Sequence, residues 1–141
     1  VHQRTELTSR FAVIDEDRNV DLSIAAIIPL YNGAKWIERS IQSVLAQTLL
    51  PDELIVVDDG STDDGPDIVA RLAADNPLIK LLHKPNGGQS SARNFGVTHS
   101  ESTLIALLDQ DDVWYRHHLE QLIKPFRRRR GVPLGWVCSD L

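Results

Sequence analysis

Three carboxylates crowd one short stretch, Leu107-Leu108-Asp109-Gln110-Asp111-Asp112-Val113-Trp114. They end an apolar run, Leu104-Ile105-Ala106-Leu107-Leu108, that has the composition of a buried strand. In extended backbone alternate side chains share a face, so Asp109 and Asp111 are expected to point the same way. Like charges held that close repel one another unless a cation lies between them. A hard divalent ion with oxygen ligands, Mg²⁺ or Mn²⁺, is the natural partner, and such ions usually arrive with substrate phosphates attached. An acidic, solvated loop after a strand would present the same residues, so the triplet alone does not decide.

A second acidic pair, Asp58 and Asp59, ends the apolar run Leu54-Ile55-Val56-Val57. An ionised carboxylate only accepts hydrogen bonds, so it suits a ligand that offers an N–H, as uracil, thymine and guanine rings do. Capping the following helix is the alternative for one of the two. Tyr31, after Ile27-Ile28-Pro29-Leu30, can stack on a flat base or pack under the first helix. Arg93 follows Gly87-Gly88-Gln89-Ser90-Ser91-Ala92 at an expected helix start. A guanidinium there can meet a phosphate or the carboxylates across a cleft; an ion pair with Asp58 or Asp59 is the structural alternative. The histidines form no metal pattern: His117 and His118 are adjacent, and His83 and His99 stand apart. Ser90 and Ser91 lack an evident base, so nucleophilic hydrolysis is poorly supported.

These residues need a scaffold that gathers them. Strand-like apolar runs occupy residues 23–30, 53–57, 79–83, 103–108 and 135–139. Helix-like segments alternate with them: 35–47, with Ile37, Ile41, Val44 and Leu45 on one amphipathic stripe; a segment after Ser61-Thr62-Asp63-Asp64-Gly65-Pro66; 89–99; and 117–129. Ser61, Asp63 and Asp64 are candidate caps, Pro66 suits a first helical turn, and Pro125 is expected to kink or shorten its helix. The alternation predicts an α/β architecture: three layers, doubly wound, around a mostly parallel sheet. Ligands of such sheets bind outside the carboxyl ends of the strands. The loops at 29–33, 58–61, 84–88 and 109–112 each follow a strand, so all four belong on one edge.

The chain has 141 residues, enough for one domain with a real core. Residues 1–22 are mixed and charged around Phe11-Ala12-Val13-Ile14, an N-terminal arm or linker; the patterned part is 23–141. Twenty acidic side chains stand against 15 basic ones, a net charge of -5, which argues against general nucleic-acid binding. Arg127-Arg128-Arg129-Arg130 is the local exception. It fits a helix C-terminus, where the dipole favours cations, or a contact with a membrane surface or acidic partner. Cys138, the single cysteine, lies in the apolar Trp136-Val137-Cys138; it excludes an intrachain disulfide and fits a reducing compartment. No apolar run reaches the ~20 residues of a membrane span and no signal peptide is visible. The chain opens on Val1 rather than Met, as a processed or excised chain would.

Ile27-Ile28-Pro29-Leu30-Tyr31-Asn32, Ser43-Val44-Leu45-Ala46-Gln47-Thr48, Val57-Asp58-Asp59-Gly60-Ser61-Thr62-Asp63, Ala92-Arg93-Asn94-Phe95-Gly96 and Leu108-Asp109-Gln110-Asp111-Asp112 together resemble glycosyltransferase family 2 in order and spacing, over residues 23–141. The resemblance implies a GT-A fold of the nucleotide-diphospho-sugar transferase type, here expected to stop after about the fifth strand. It implies inverting transfer of a sugar from a nucleotide diphosphate, often UDP, with Mn²⁺ or Mg²⁺. Carried over by position, the Pro29 to Tyr31 loop and Asp59 would hold the base, with Asp58 beside them. Arg93 would line the nucleotide pocket. Asp109 and Asp111 would contact ribose and metal, with Asp111 the direct metal ligand and Asp112 its alternative. Family members commonly carry Pro-Asp where this chain has Arg116-His117.

The family's general base and acceptor-binding half come later in sequence, so the base is expected beyond Leu141. This chain is then expected to bind a donor but turn over poorly, with its acceptor unread. The resemblance implies a cytoplasmic setting, at or near the inner face of the membrane in a full-length protein. An apolar face left for the remaining half is expected to favour self-association. Two other classes fit less well. One is a non-catalytic nucleotide-sensing or protein-association module on the same fold. The other is a nucleotidyltransferase, which would want a glycine-rich loop bearing Arg or Lys where Tyr31-Asn32-Gly33 stands.

Overall fold

A computed structural model describes residues 22–127. Strands and helices alternate as β1 (Ile24–Leu30), α1 (Ile37–Leu45), β2 (Glu53–Asp58), α2 (Gly65–Asp75), β3 (Ile79–His83), α3 (Gln89–His99), β4 (Leu104–Leu107) and α4 (His118–Arg127). The strands pair in the order β3-β2-β1-β4, all parallel. Parallel neighbours require a crossover, and α1, α2 and α3 supply the three that join the described strands.

β1 and β2 lie at the centre and are buried along their whole length. Because side chains alternate, each strand feeds two cores. On one face Ala26, Ile28, Leu30, Leu54 and Val56 pack under Ile37, Ile41 and Val44 of α1, Val69 of α2, and Leu119 and Ile123 of α4. On the other, Ile27, Ile55 and Val57 pack under Ala92 of α3. These are the three layers expected from the alternation. Burying one such aliphatic side chain contributes about 1.5–3 kcal/mol, so the central pair rather than the short β4 anchors the domain.

The boundaries differ from the expectations in small, explicable ways. α1 starts at Ile37 instead of 35 because Gly33 O accepts both Trp36 N–H and Ile37 N–H, an initial turn of loop. Its C-terminal end falls at Leu45, short of 47. β2 extends one residue to Asp58, and β4 stops at Leu107 rather than 108. α4 continues through Pro125 to Arg127. On β4, Ile105 and Leu107 are exposed; they pair with Ala25 and Ile27 and so lie on the face that α3 covers over the central strands. The arm before residue 22, the expected strand at 135–139, Cys138 and Arg128 to Arg130 lie outside the described residues. No described helix is long and apolar enough to cross a membrane.

From β1 the chain steps through β2 to β3 on one side, then returns to place β4 on the other side of β1. The order reverses there, which puts the switch-point crevice at the carboxyl ends of β1 and β4.

Candidate functional site

The four loops of the carboxyl edge are tied into a hydrogen-bonded ring. After β1, Asn32 N–H donates to Ser61 Oγ at 3.1 Å, and Thr62 N–H returns a bond to Asn32 Oδ1 at 2.8 Å. Asn32 takes a left-handed conformation (φ 48°), which asparagine tolerates better than most residues. After β2, Asp58 Oδ1 accepts Ser61 N–H at 2.9 Å and its Oδ2 lies 3.0 Å from His83 Nδ1. Burial alone would raise the Asp58 pKa, but these partners outweigh it and hold the carboxyl below its ordinary value. Asp58 therefore closes a local turn and meets β3; it does not cap α2.

Asp59, only 2% exposed, reaches across to the loop after β3. Lys84 Nζ donates to Oδ1, Gly87 N–H to Oδ1 at 3.0 Å, and Gly88 N–H to Oδ2 at 2.7 Å. Burial pushes this carboxyl up, and the Lys84 ammonium with the two amides pulls it further down, leaving it net ionised. Gly88 holds φ 88° in presenting its N–H, a conformation costly for any residue with a side chain. It also immediately precedes α3, so Asp59 fixes where that helix begins.

Arg93, in the first turns of α3, pairs with Asp109 across the crevice, through Nη2 and Oδ1. Neither Asp58 nor Asp59 is its partner. Gln89 Nε2 donates to the same Asp109 oxygen at 2.9 Å. Arg93 Nε is buried and has no partner among the described residues. Buried donors are nearly always satisfied, so this N–H is an exception within the otherwise paired ring.

The ring closes through Gln110, a residue sequence reasoning passed over as the spacer between two aspartates. Its Oε1 accepts Tyr31 N–H at 2.8 Å and its Nε2 donates to Tyr31 O at 3.1 Å. Along β1, Ser23 O and Ile27 O accept from β4, whereas Ile24 O and Leu30 O accept from the β2 side. Odd-numbered residues thus face β4, and the Gln110 amide continues the β1–β4 ladder past the end of β4. The same alternation corrects the placement of Pro29. It lies buried inside β1, paired with Val57, and not in a loop. Its missing N–H faces the side where β4 has already ended, where no ladder bond is lost. The loop proper begins at Tyr31, 48% exposed.

Residues 109–112 form a turn closed by Asp112 N–H to Asp109 O at 3.1 Å, so strand alternation does not govern Asp109 and Asp111. Asp109 faces Arg93; Asp111 and Asp112 are exposed, and neither carboxylate has a hydrogen-bond partner among the described residues. No three His, Cys, Asp or Glu side chains converge there into an all-protein cage. Mg²⁺ or Mn²⁺ carried by phosphates needs only one or two carboxylates, and Asp111 and Asp112 meet that demand. Asp109 retains Oδ2 for a further contact.

Residues 25–138 match the family model for glycosyl transferase family 2. An uncharacterized glycosyltransferase of Nostoc sp. (strain PCC 7120) is 40% identical over 107 residues, 75% of this chain and 33% of that protein. Chondroitin synthase of Pasteurella multocida is 36% identical over 116 residues, 82% of this chain and 12% of that protein. The chain thus spans about a third or less of these relatives' length. Among solved structures, S. aureus TarS 1-349 in complex with UDP superposes with a TM-score of 0.66 at 25% identity, covering 80% of this chain and 38% of that one. The mannosyltransferase PcManGT of Pyrobaculum calidifontis, in complex with GDP-Man and Mn²⁺, gives 0.60 at 28% identity, covering 70% and 32%. The parallel sheet with its reversal at β1 is the GT-A fold of these transferases. By the extent of the family match and by that fold, the chain belongs to glycosyltransferase family 2.

Proposed function

We propose that this chain is the donor-binding portion of an inverting glycosyltransferase, holding a UDP-sugar together with Mn²⁺ or Mg²⁺. The observation that carries this reading is the ring of loops with opposite demands on its two sides. Arg93 offers a buried N–H without a partner, and Asp111 and Asp112 offer carboxylates without one. A diphosphate with its divalent cation answers both. The UDP in the TarS relative, and the GDP-Man and Mn²⁺ in PcManGT, support the same ligand class.

Each residue then has a defined task. Asp59, which accepts from Lys84, from Gly88 and through both oxygens from the shared Gly87 N–H, is the carboxylate assigned to a base N–H. Tyr31, exposed at the mouth of the crevice, stacks on the base, an interaction worth about 1–3 kcal/mol. Arg93, paired to Asp109, faces the diphosphate, and Asp109 Oδ2 turns toward the ribose. The cation, when bound, neutralises charge developing on the departing diphosphate. Deprotonating an acceptor is a task for which no described residue is assigned, so this chain is expected to bind donor and transfer sugar weakly.

Calorimetry with UDP, with and without Mn²⁺, tests the reading. Asp111→Ala is expected to weaken Mn²⁺-dependent UDP affinity roughly 10- to 100-fold while leaving the metal-free component nearly unchanged. An unaltered Mn²⁺ dependence would remove Asp111 from the metal. Absence of any binding to UDP or GDP with metal present would favour the protein-association module instead.

A further inference from the structure

The acidic turn is held from behind by polar groups on α1 and on the residues that follow it. Ser40, fully buried, places its Oγ 2.6 Å from Gln110 O and 2.7 Å from Asp112 O, the two carbonyls that flank Asp111, so its single O–H donates to one of them at a time. Arg39 Nη2 reaches Asp111 O from the exposed side at 3.4 Å. One turn further along, Ser43 Oγ accepts Trp114 N–H at 3.1 Å. Gln47, 6% exposed, donates to Tyr115 O at 2.7 Å and accepts Leu119 N–H at 3.1 Å. Thr48 N–H donates to Arg116 O at 2.9 Å. Ser40 and Ser43 lie on α1 beside the apolar stripe of Ile37, Ile41 and Val44, and Gln47 follows two residues past its end.

A buried hydroxyl on a helix otherwise packed into the core, and a buried amide just past its end, are costly unless their partners are fixed. Apart from the local bonds of Ser40 Oγ to Trp36 O at 3.4 Å and of Gln47 Nε2 to Ser43 O at 3.1 Å, their partners are backbone of residues 110–119, the segment that carries the free carboxylates. A loop without secondary structure is otherwise free to move Asp111 by an ångström or more, enough to spoil a cation site that also has to meet a diphosphate.

We propose that Ser40 and Gln47 are positioning residues for the metal-binding turn, fixing the backbone on both sides of Asp111 so that its carboxylate is presented to a nucleotide-bound divalent cation. This rests on the donor-binding reading above. The test measures three quantities on the same chain: Mn²⁺ affinity in the presence of UDP by the loss of the free-ion electron spin resonance signal, UDP affinity without metal by calorimetry, and the urea midpoint. If the unaltered chain binds neither UDP nor Mn²⁺, the donor-binding reading fails, and this inference with it. If it binds both, Ser40→Ala and Gln47→Leu are each expected to weaken Mn²⁺ roughly tenfold or more, with metal-free UDP affinity within about twofold and Ser40→Thr restoring the metal. Mn²⁺ affinity within about twofold in both variants, or a parallel loss of metal-free UDP affinity, would overturn the positioning role alone. Should Ser40→Ala not fold, Ser40→Cys keeps the volume, removes the strong donor and carries the same two outcomes.

Discussion

Lys84 is the buried cation on which the base side of the site depends. Its side chain is 11% exposed and that of Asp59 3%, so this is a pair taken out of water. Breaking such a pair strands a charge, typically at about 3–5 kcal/mol; Gly87 and Gly88 still solvate Asp59, which favours the lower end here. Lys84→Met is therefore expected to lose about 3 kcal/mol at pH 7 by urea denaturation. Asp59 is depressed when folded, so its contribution is complete above the ordinary aspartate pKa of about 3.9 and fades as pH falls through the folded value. The gap between variant and parent should narrow in acid; a gap independent of pH would mean that Lys84 acts by packing alone. The placing of Asp58, Asp59, Arg93, Asp109 and Asp111 at the carboxyl edge was legible in the sequence because acceptor-only or cationic groups after strands advertise themselves. Lys84, Gln110 and Ser40 were not. Their roles are bonds to buried carboxylates or to backbone carbonyls, which depend on how two loops meet and leave no mark in residue type. The one available signal was Lys84 opening the polar Lys84-Pro85-Asn86-Gly87-Gly88 stretch.

The three crossovers show the same division between pattern and contact. Apolar runs located every described strand, most clearly β1 and β2, where burial on both faces leaves a continuous signal, and α3 coincides with the expected 89–99. The ends were less legible: local turns at Gly33 and at 109–112 decide where α1 starts and β4 stops, and the tertiary bond of Gln110 to Tyr31 follows the end of β1. α3 also depends on a feature visible only as one glycine in a helical stretch. A Cβ on Gly96 would lie 2.7 Å from Ile27 Cγ2 and 3.2 Å from Val57 Cγ2, so the helix sits directly on the sheet there. Two effects compete in Gly96→Ala. Helix propensity favours alanine by about 1 kcal/mol, while overpacking a core against fully buried Ile27 typically costs about 1–3 kcal/mol. The steric term is expected to win by about 1 kcal/mol, lowering the thermal midpoint. Because α3 carries Gln89 and Arg93 into the crevice, UDP affinity should fall with it. A raised midpoint would show that α3 is not seated as closely as described.

Across the whole molecule the two edges of the sheet are built for different ends. The carboxyl edge keeps carboxylates free at Asp111 and Asp112; the amino edge leaves none of its central one unused. Glu53, 7% exposed at the start of β2, accepts Ser100 Oγ at 3.0 Å, Glu101 N–H at 3.0 Å and Ser102 Oγ at 2.7 Å on Oε1, and Lys80 Nζ at 2.7 Å on Oε2. It thereby ties β3 and the α3–β4 connection to the central strand. Burial works against its charge, but Lys80, Ser102, Ser100 and the Glu101 amide prevail and lower its pKa from 4.5 to about 2. A depressed carboxyl stabilises the fold above its unfolded pKa and loses that contribution as pH falls through the folded one, so the window is about 4.5 down to about 2. Glu53→Gln keeps an acceptor and removes the charge, which should cost about 1–3 kcal/mol at pH 7. Urea midpoints of variant and parent should converge as pH is lowered through that window. Donor affinity at neutral pH should stay within about twofold of the parent, since no bond of Glu53 reaches the carboxyl edge. An equal stability loss at pH 7 and pH 2, or a UDP affinity that falls with it, would mean that the two edges are energetically one unit and that the division of labour across the sheet does not hold.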